Sequence, residues 1–204
     1  MKFILASASP RRREILAHLG LDFAVRVADA DESSDETDAE RLVEQLAAKK
    51  ARAVYDAMAS DGTLSPDTVI LAADTVVASP AGAILGKPHD ARDAKRMLRE
   101  LSGNTHRVVS GIAVLASDGR DGRDIRMATA HEVTEVTFAT LTDDIIARYV
   151  ASGEPMDKAG AYGIQDTAAL WIEGIRGDYF NVVGLPVHRL EQTLNEHFGL
   201  SIWH

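Results

Sequence analysis

The sequence predicts an α/β protein built on a mixed β-sheet, and three observations support this fold class. Helical and strand-like patterns alternate along most of the 204 residues, which is typical of a sheet with helices on its faces. Thr68–Ala78 is apolar on both faces, as expected for a covered central strand. Thr105–Ala116 and Ile125–Ala139 resemble two long antiparallel strands joined by a polar turn over 117–124. Parallel crossovers together with one long hairpin give a mixed sheet.

Composition excludes several classes of protein. With 46% hydrophobic and 26% charged residues, the chain is long enough and apolar enough to bury a core. The net charge of -9 argues against a nucleic-acid partner. No cysteine is present, so disulfides, thiolate nucleophiles and cysteine-based zinc sites are excluded. The longest apolar run, Val69–Ala73, is far too short to span a membrane, and no signal peptide is recognised, so we expect a cytoplasmic protein.

The chain opens with a short strand and a helix. Phe3–Ala6 is a buried apolar run, Ser9 is a good N-cap, and Pro10 takes the first helical position, where its missing N–H costs nothing. Gly20 ends the helix, and a second strand follows over Asp22–Val27. A strand that turns into a helix in this way directs free backbone N–H groups and the positive end of the helix dipole at one point.

Three arginines occupy the first turn of this helix. Arg11, Arg12 and Arg13 carry the sign of charge that a helix dipole disfavours at this end. Guanidinium groups and backbone N–H groups together suit an anion, so the turn is interpreted as a phosphate site. The alternative is a solvated basic patch that opens an ordinary helix, and the local sequence favours neither interpretation.

The second helix, Ala39–Met58, carries a lysine on its apolar stripe. The stripe is predicted to run through Leu42, Leu46 and Val54, with Val43 and Ala47 alongside. Lys50 falls on this stripe, whereas Lys49 points elsewhere. A lysine on such a face either reaches to the edge of the buried surface or meets an acid or a phosphate.

Two stretches carry carboxylates of interest. Asp29–Asp38 is an acidic, serine-rich loop that includes Glu32, and most loops of this kind are simply solvated. Asp74 and Thr75 interrupt the covered strand Thr68–Ala78. A carboxylate inside such a strand is costly unless it is paired or bound to a metal, so a functional role is favoured for Asp74.

The remaining pattern predicts three more helices and two short strands, separated by turns rich in Gly, Pro and Asn. They are a strand at Ile84–Leu85, a helix at Asp90–Leu101, a helix from the Thr142 cap to Val150, a strand at Ala168–Ile172 and a helix over 187–197. Lys87, in the turn after Leu85, is either a second phosphate-facing lysine or part of a plain turn. His106 and His131 are isolated on the long strands and are interpreted as structural.

Several of these stretches together resemble the Maf family, the septum-formation-inhibitor-like nucleoside triphosphate pyrophosphatases. The matching stretches are Ser7-Ala-Ser-Pro-Arg-Arg12, Asp31-Glu32-Ser33, Leu46-Ala-Ala-Lys-Lys-Ala51, Ala73-Asp-Thr-Val-Val77, Leu85-Gly-Lys-Pro88, His106 after Ser102-Gly103, Lys158-Ala-Gly-Ala-Tyr-Gly-Ile-Gln165 and Asn181-Val-Val-Gly-Leu-Pro186. Each is weak alone, but their order and spacing are specific. The resemblance implies one domain over 1–204, with an elongated sheet, helices around it, and two lobes about a central cleft, related to the inosine-triphosphatase architecture.

The resemblance also implies an activity. Members hydrolyse a nucleoside triphosphate to the monophosphate and pyrophosphate with Mg²⁺ or Mn²⁺, in the house-cleaning of nucleotide pools, and often form dimers, so a homodimer is allowed. The Tyr-Gly-Ile-Gln and Asn-Val-Val-Gly-Leu-Pro stretches resemble the branch that acts on dTTP and UTP. One departure is Asp166, because the family commonly has Gly after the glutamine. The alternatives are a 7-methyl-GTP or noncanonical nucleotide pyrophosphatase of the same fold, and a non-catalytic nucleotide-sensing regulator of cell division.

The residue types suit this hydrolysis, which requires charge neutralisation and an aligned water. Backbone N–H groups at Ser9–Arg11, with Arg11 and Arg12, would hold the triphosphate, and Lys50 and Lys87 would neutralise more of its charge.

The carboxylates and two further polar residues complete the predicted site. Asp74 would act as the general base, as a metal ligand, or as both, and Glu32 is the second expected metal ligand. Thr75 and Gln165 match positions that the family uses for substrate selection. The amide of Gln165 offers a donor and an acceptor to a pyrimidine edge.

Overall fold

Strands in the computed structural model, which describes residues 1–117 and 125–203, form one mixed sheet of seven strands. They are β1 (Lys2–Leu5), β2 (Phe23–Val25), β3 (Thr68–Ala78), β4 (Ile84–Leu85), β5 (Thr105–Ser117), β6 (Ile125–Phe138) and β7 (Ile172–Arg176). The order is β2-β1-β3-β5-β6-β7, and β4 pairs with β3. Strand β1 is parallel to β2 and β3, whereas β4 and β7 are antiparallel to their neighbours, so the prediction of a mixed sheet is confirmed.

Helices connect most of these strands. They are α1 (Pro10–His18), α2 (Ala39–Ser60), α3 (Ala91–Leu101), α4 (Asp143–Ala151), α5 (Tyr179–Val183) and α6 (Val187–Phe198), with 3₁₀ turns at Glu154–Asp157, Ala159–Ala161 and Thr167–Trp171. Across the described ranges, every helix is too short or too polar to span a lipid bilayer.

The chain divides into two compact units. The first comprises Met1–Asp74, Ser110–Glu132 and Gly184–His204, and the second comprises Thr75–Val109 and Val133–Val183. Strands β3, β5 and β6 each contribute residues to both units. The expected two lobes about a cleft, and the single domain over 1–204, stay predictions.

In the first unit, helix α2 packs on β1, β3 and β5. Its buried face includes Val43, Leu46, Ala47 and Val54, which the predicted stripe named, whereas Leu42 is only half-buried. Helix and sheet approach closely at Gly111, where a Cβ would lie 2.4 Å from the backbone carbonyl carbon of Val43. The buried face combines small alanines with larger side chains such as Leu46 and Met58.

In the second unit, helix α3 supplies much of the core. Ala94, Met97, Leu98 and Leu101 are all buried, as their spacing predicted. The helix begins at Ala91, where Asp90 acts as N-cap and accepts a hydrogen bond from the backbone N–H of Asp93 at 2.8 Å. Thr142 likewise caps α4 by accepting from Ile145 N–H at 3.3 Å, so both predicted helix starts are confirmed.

The predicted strand at Ala168–Ile172 is wrong. Residues Thr167–Trp171 form a 3₁₀ turn, and the strand lies at Ile172–Arg176, paired with β6 at the edge of the sheet. The carboxylate of Glu154 accepts from Thr167 N–H at 3.1 Å and from its hydroxyl at 2.7 Å, which holds the turn. The strand is mostly exposed, so it has no apolar alternation by which a sequence reading would find it.

Two smaller differences occur near the start of the chain. Strand β2 covers Phe23–Val25 rather than Asp22–Val27. Ser9 takes the N-cap position of α1, but its hydroxyl makes no capping hydrogen bond. The polar turn expected between β5 and β6 falls on 118–124, outside the described residues.

Candidate active site

A buried ion pair joins the central strand to α2. Asp74 lies on β3 with its side chain 13% exposed, and Lys50 Nζ donates a hydrogen bond to Asp74 Oδ1. Burying either charge alone would be costly, and the pair offsets that cost. Of the two outcomes open for Lys50, the structure therefore shows contact with an acid. Lys49 points elsewhere and donates to the backbone carbonyl of Ser33 at 2.6 Å.

Glu32 lies beside the same ammonium group. Its Oε1 atom is 3.4 Å from Lys50 Nζ, while its side chain is 61% exposed on the loop before α2. Two carboxylates therefore contact one cationic nitrogen, which places their oxygens near a common point. Within residues 1–117 and 125–203, no group of three or more acidic, histidine or cysteine side chains is arranged to hold a metal ion.

Arg12 is oriented by two oxygen acceptors. Its Nε donates to the backbone carbonyl of Gly184 at 2.8 Å, and its Nη1 donates to Ser7 Oγ at 3.1 Å. Burial lowers the pKa of the Arg12 guanidinium from its ordinary value, and the negative charges of Asp74 and Glu32 oppose that shift. An arginine remains charged at neutral pH even so, which makes Arg12 a second fixed cation beside the two carboxylates.

Ser7 is a residue of the candidate site that the sequence patterns did not single out. It is buried, and its hydroxyl oxygen accepts from both the backbone N–H of Ser9 and the guanidinium of Arg12. One side chain thus fixes the strand-to-helix turn and the arginine expected to bind phosphate. Its place at the start of the Ser-Ala-Ser-Pro-Arg-Arg stretch was the available signal, whereas the Gly184 contact spans 172 positions and had none.

In the second unit, two stretches of chain that carry predicted substrate residues are hydrogen-bonded to each other. One is the turn that carries Lys87, and the other is the segment 158–166, which carries Gln165. Thr75 is half-buried on β3, and Lys87 and Gln165 are exposed. The backbone N–H of Gly160 donates to the carbonyl of Gly86, next to Lys87, at 3.0 Å. The segment that carries Gln165 is therefore bonded directly to the turn that carries Lys87.

That segment also packs closely on β3. A Cβ at Gly160 would lie 2.7 Å from Val77 Cγ2, two positions along the strand from Thr75. Gly160 has a left-handed backbone with φ of 66°, which favours glycine. A side chain at this position would separate the segment from the strand.

The same segment is anchored in the core by Tyr162. A hydrogen bond of 2.7 Å joins Tyr162 Oη to His106 Nε2, and both rings meet Phe138 edge to face. Burial lowers the pKa of His106 from 6.5 to about 4, so the imidazole is neutral at pH 7. His106 is a buried core residue, as interpreted from its isolation in the sequence.

A solved structure shares this fold. A HAM1 protein from Coxiella burnetii is similar with a TM-score of 0.50, and the match covers 96% of this chain and 99% of that one at 16% identity. At that identity the likeness defines the class of fold alone. A sequence profile of Maf-like proteins matches residues 2–197, and the chain belongs to the Maf family.

Relatives in this family are similar over nearly their whole length. A protein from Acetivibrio thermocellus is 47% identical over 203 residues, covering 99% of this chain and 98% of its own. One from Moorella thermoacetica is 48% identical over 204 residues, covering 99% and 97%, and one from Chromobacterium violaceum is 48% identical over 202 residues, covering 98% and 96%. Each of the three is named a dTTP/UTP pyrophosphatase.

Proposed function

We propose that this protein is a nucleoside triphosphate pyrophosphatase that hydrolyses dTTP and UTP to the monophosphate and pyrophosphate. The observation that supports this most is the cluster in the first unit, where buried Asp74 is paired with Lys50 beside Glu32 and Arg12. The names of relatives at 47–48% identity support the choice of dTTP and UTP.

The reaction adds one water across the bond between the α- and β-phosphates. Asp74 takes the proton of that water as general base, and pyrophosphate departs as the anhydride bond breaks. Arg12, Lys50 and Lys87 neutralise the phosphate charge, and the side chain and backbone N–H of Arg11 bind its oxygens. Ser9 and Pro10 add no backbone donor, because the Ser9 N–H donates to Ser7 Oγ and Pro10 has no N–H. Fixed cations lower the barrier because they need no reorganisation as charge develops on the leaving group.

Mg²⁺ or Mn²⁺ is the proposed cofactor, and the residues present fit it. Asp74 and Glu32 contact the same ammonium group, so their oxygens converge as the ligands of a hard cation do. Two protein ligands suffice for Mg²⁺, which usually keeps several waters and takes phosphate oxygens as further ligands. When bound, the metal would supply positive charge to the phosphates.

Base selection is assigned to the second unit. Thr75 and Gln165 are the proposed selecting residues, and the Gln165 amide can donate to and accept from the edge of a pyrimidine. A cytoplasmic location and a homodimer are further proposals, which rest on the composition and on membership of the family.

Pyrophosphate release tests the proposal. It would be measured with dTTP, UTP, CTP, GTP and 7-methyl-GTP, each with Mg²⁺ and with Mn²⁺. We expect release from dTTP and UTP that collapses in Asp74→Asn, which keeps the shape of the side chain but removes the base. Asp67→Asn, an exposed carboxylate just before β3, is the matched control and should retain activity.

Other outcomes would separate the alternatives. Activity confined to 7-methyl-GTP would keep the chemistry but contradict the proposed substrates. Binding of a nucleotide without cleavage would contradict the enzyme assignment and favour a sensor.

A further inference from the structure

A buried lysine joins the two ends of the segment that carries Gln165. The side chain of Lys158 is 8% exposed, and its ammonium donates to the carbonyl of Glu154 at 2.6 Å and to Asp157 Oδ1 at 2.8 Å. The same Nζ atom lies 3.4 Å from Asp166 Oδ2. Because Asp166 directly follows Gln165, this ion pair connects the residue that opens the segment to the residue that closes it.

The two side chains of this pair lie across the middle of the segment. A Cβ at Gly163 would be 2.6 Å from Asp166 Oδ2 and 2.7 Å from Lys158 Cε. The ion pair therefore sits directly on the backbone at Gly163, only two residues before Gln165.

The backbone of the segment needs such support. Ala161 has φ of 62°, a left-handed conformation that residues with a Cβ rarely adopt. Conformations of this kind persist only where the surrounding structure holds them. Gly160 is bonded to the Lys87 turn and Tyr162 to His106, which hold the first half, and the ion pair is positioned to hold the second half.

We propose that the Lys158–Asp166 ion pair positions Gln165 for base selection, which makes Asp166 a specificity-determining positioning residue. The proposal rests on the proposed pyrophosphatase function. A glutamine amide can present either its oxygen or its NH₂ group, so discrimination between uracil or thymine and cytosine depends on how firmly the residue is held. Asp166 restrains the main chain immediately after Gln165 without itself contacting the nucleotide.

The first test is Asp166→Asn, which removes the charge and keeps the size. We expect KM for UTP and dTTP to rise about fivefold, the scale of a partly exposed ion pair, with kcat changed by less than about twofold. The ratio of kcat/KM for UTP to that for CTP should fall. Asp166→Glu retains the carboxylate, so its KM for UTP and dTTP and its preference for UTP over CTP should be close to those of the wild type.

Asp157→Asn is the matched control. It removes a nearer carboxylate from the same lysine, but Asp157 precedes the segment and does not close it. Lys158 keeps one carboxylate and the Glu154 carbonyl in either variant, so both should fold, which thermal unfolding would check. Wild-type KM and base selectivity in Asp166→Asn would overturn the proposal, as would an equal change in Asp157→Asn.

Gly163→Ala disturbs the pair without removing a charge. The added methyl group would displace the carboxylate of Asp166 and the stem of Lys158, which are flexible enough to move. This variant should show the same rise in KM as Asp166→Asn. Wild-type kinetics in Gly163→Ala would also contradict the proposal.

Hydrogen exchange makes the test independent of activity. Amides over 159–167 should exchange faster in Asp166→Asn than in the wild type and at the wild-type rate in Asp157→Asn. Absence of pyrophosphate release by the wild type would contradict the proposed function alone. Unchanged exchange in Asp166→Asn would overturn the role of the ion pair, whatever the activity.

Discussion

Lys49 and Lys50 are neighbours on α2 but have different partners. We therefore expect their substitution to affect activity differently. Lys50 contacts Asp74 and Glu32, whereas Lys49 donates to the carbonyl of Ser33. Lys50→Met should lower kcat on the order of a hundredfold, because the fixed cation proposed to neutralise the phosphates is lost. Lys49→Met should change it by less than about threefold, since one exposed hydrogen bond contributes little.

Steady-state pyrophosphate release from UTP by the two variants would measure this difference. The two variants differ by one position on the same helix, so general effects of losing a lysine cancel in the comparison. Equal losses in both variants would contradict the assignment of Lys50.

His106 makes stability depend on pH. Its pKa is about 4 in the folded protein and near 6.5 when unfolded, so below pH 6.5 the unfolded state takes up a proton that the folded state does not. The stability that neutral His106 supports is complete above pH 6.5 and is lost progressively toward pH 4. Between about pH 7.5 and pH 5 this group alone should lower the free energy of unfolding by about 2 kcal/mol.

Urea unfolding at the two pH values would measure that change. His106→Gln should be less stable than the wild type at pH 7.5. Between pH 7.5 and pH 5, however, its free energy of unfolding should fall by about 2 kcal/mol less than that of the wild type. A His106→Gln protein with unchanged pH dependence would contradict the burial of a neutral imidazole.

At the scale of elements, the contact between α2 and β5 depends on one glycine. A Cβ at Gly111 would lie 2.4 Å from the carbonyl carbon of Val43 and 2.7 Å from the backbone nitrogen of Glu44. These are backbone atoms, so helix and strand must separate to admit a methyl group. Gly111→Ala should lower the free energy of unfolding by about 3 kcal/mol, the scale of overpacking in a core.

Gly174→Ala is the control for this prediction. Gly174 also lies in a strand, but a Cβ there would meet open space. Its substitution should leave the free energy of unfolding within about 0.5 kcal/mol of the wild type. Chemical denaturation of both variants would test the pair, and a stable Gly111→Ala protein would show that α2 packs less closely on β5.

The ends of helices and strands could be predicted where the residues that determine them are close together in the sequence. Strand β3 begins and ends where its apolar run does, and α3 and α4 begin beside the capping side chains of Asp90 and Thr142. Strand β7 was misplaced because an exposed edge strand gains little from apolar residues and its pairing with β6 depends on the sheet already being formed.

At the scale of the whole molecule, three strands contribute to both units, so we expect the units to unfold together. The residues of β3, β5 and β6 are divided between the two units, so each of these strands continues from one unit into the other. Trp171 fluorescence in a Trp203→Phe protein reports on the second unit, and far-UV ellipticity reports on all helices and strands. The two urea transitions should coincide, and separate midpoints would contradict cooperative unfolding.

A bound substrate should stabilise this single transition. With Asp74→Asn, which binds UTP without cleaving it in our proposal, UTP and Mg²⁺ at about 100 times the Kd should raise the free energy of unfolding by about 2.7 kcal/mol. ATP at the same concentration should raise it less. Equal stabilisation by both nucleotides would contradict selection of the base.

Local sequence patterns were enough to establish the fold class, the central strand with its carboxylate, most helix boundaries and the family to which the chain belongs. It also indicated the residue types of the candidate site. These features follow from apolar periodicity, caps and ordered motifs, which are properties of neighbouring residues.

Which side chains contact each other became evident from the folded structure. The pair of Lys50 and Asp74 spans 24 positions and the contact of Arg12 with Gly184 spans 172, so both exist only because packing brings distant segments together. The ion pair of Lys158 and Asp166 also depends on the folded backbone between them, which places Lys158 Nζ 3.4 Å from Asp166 Oδ2. Hydrogen bonds and ion pairs depend on distance and angle in space, and local sequence patterns carry neither.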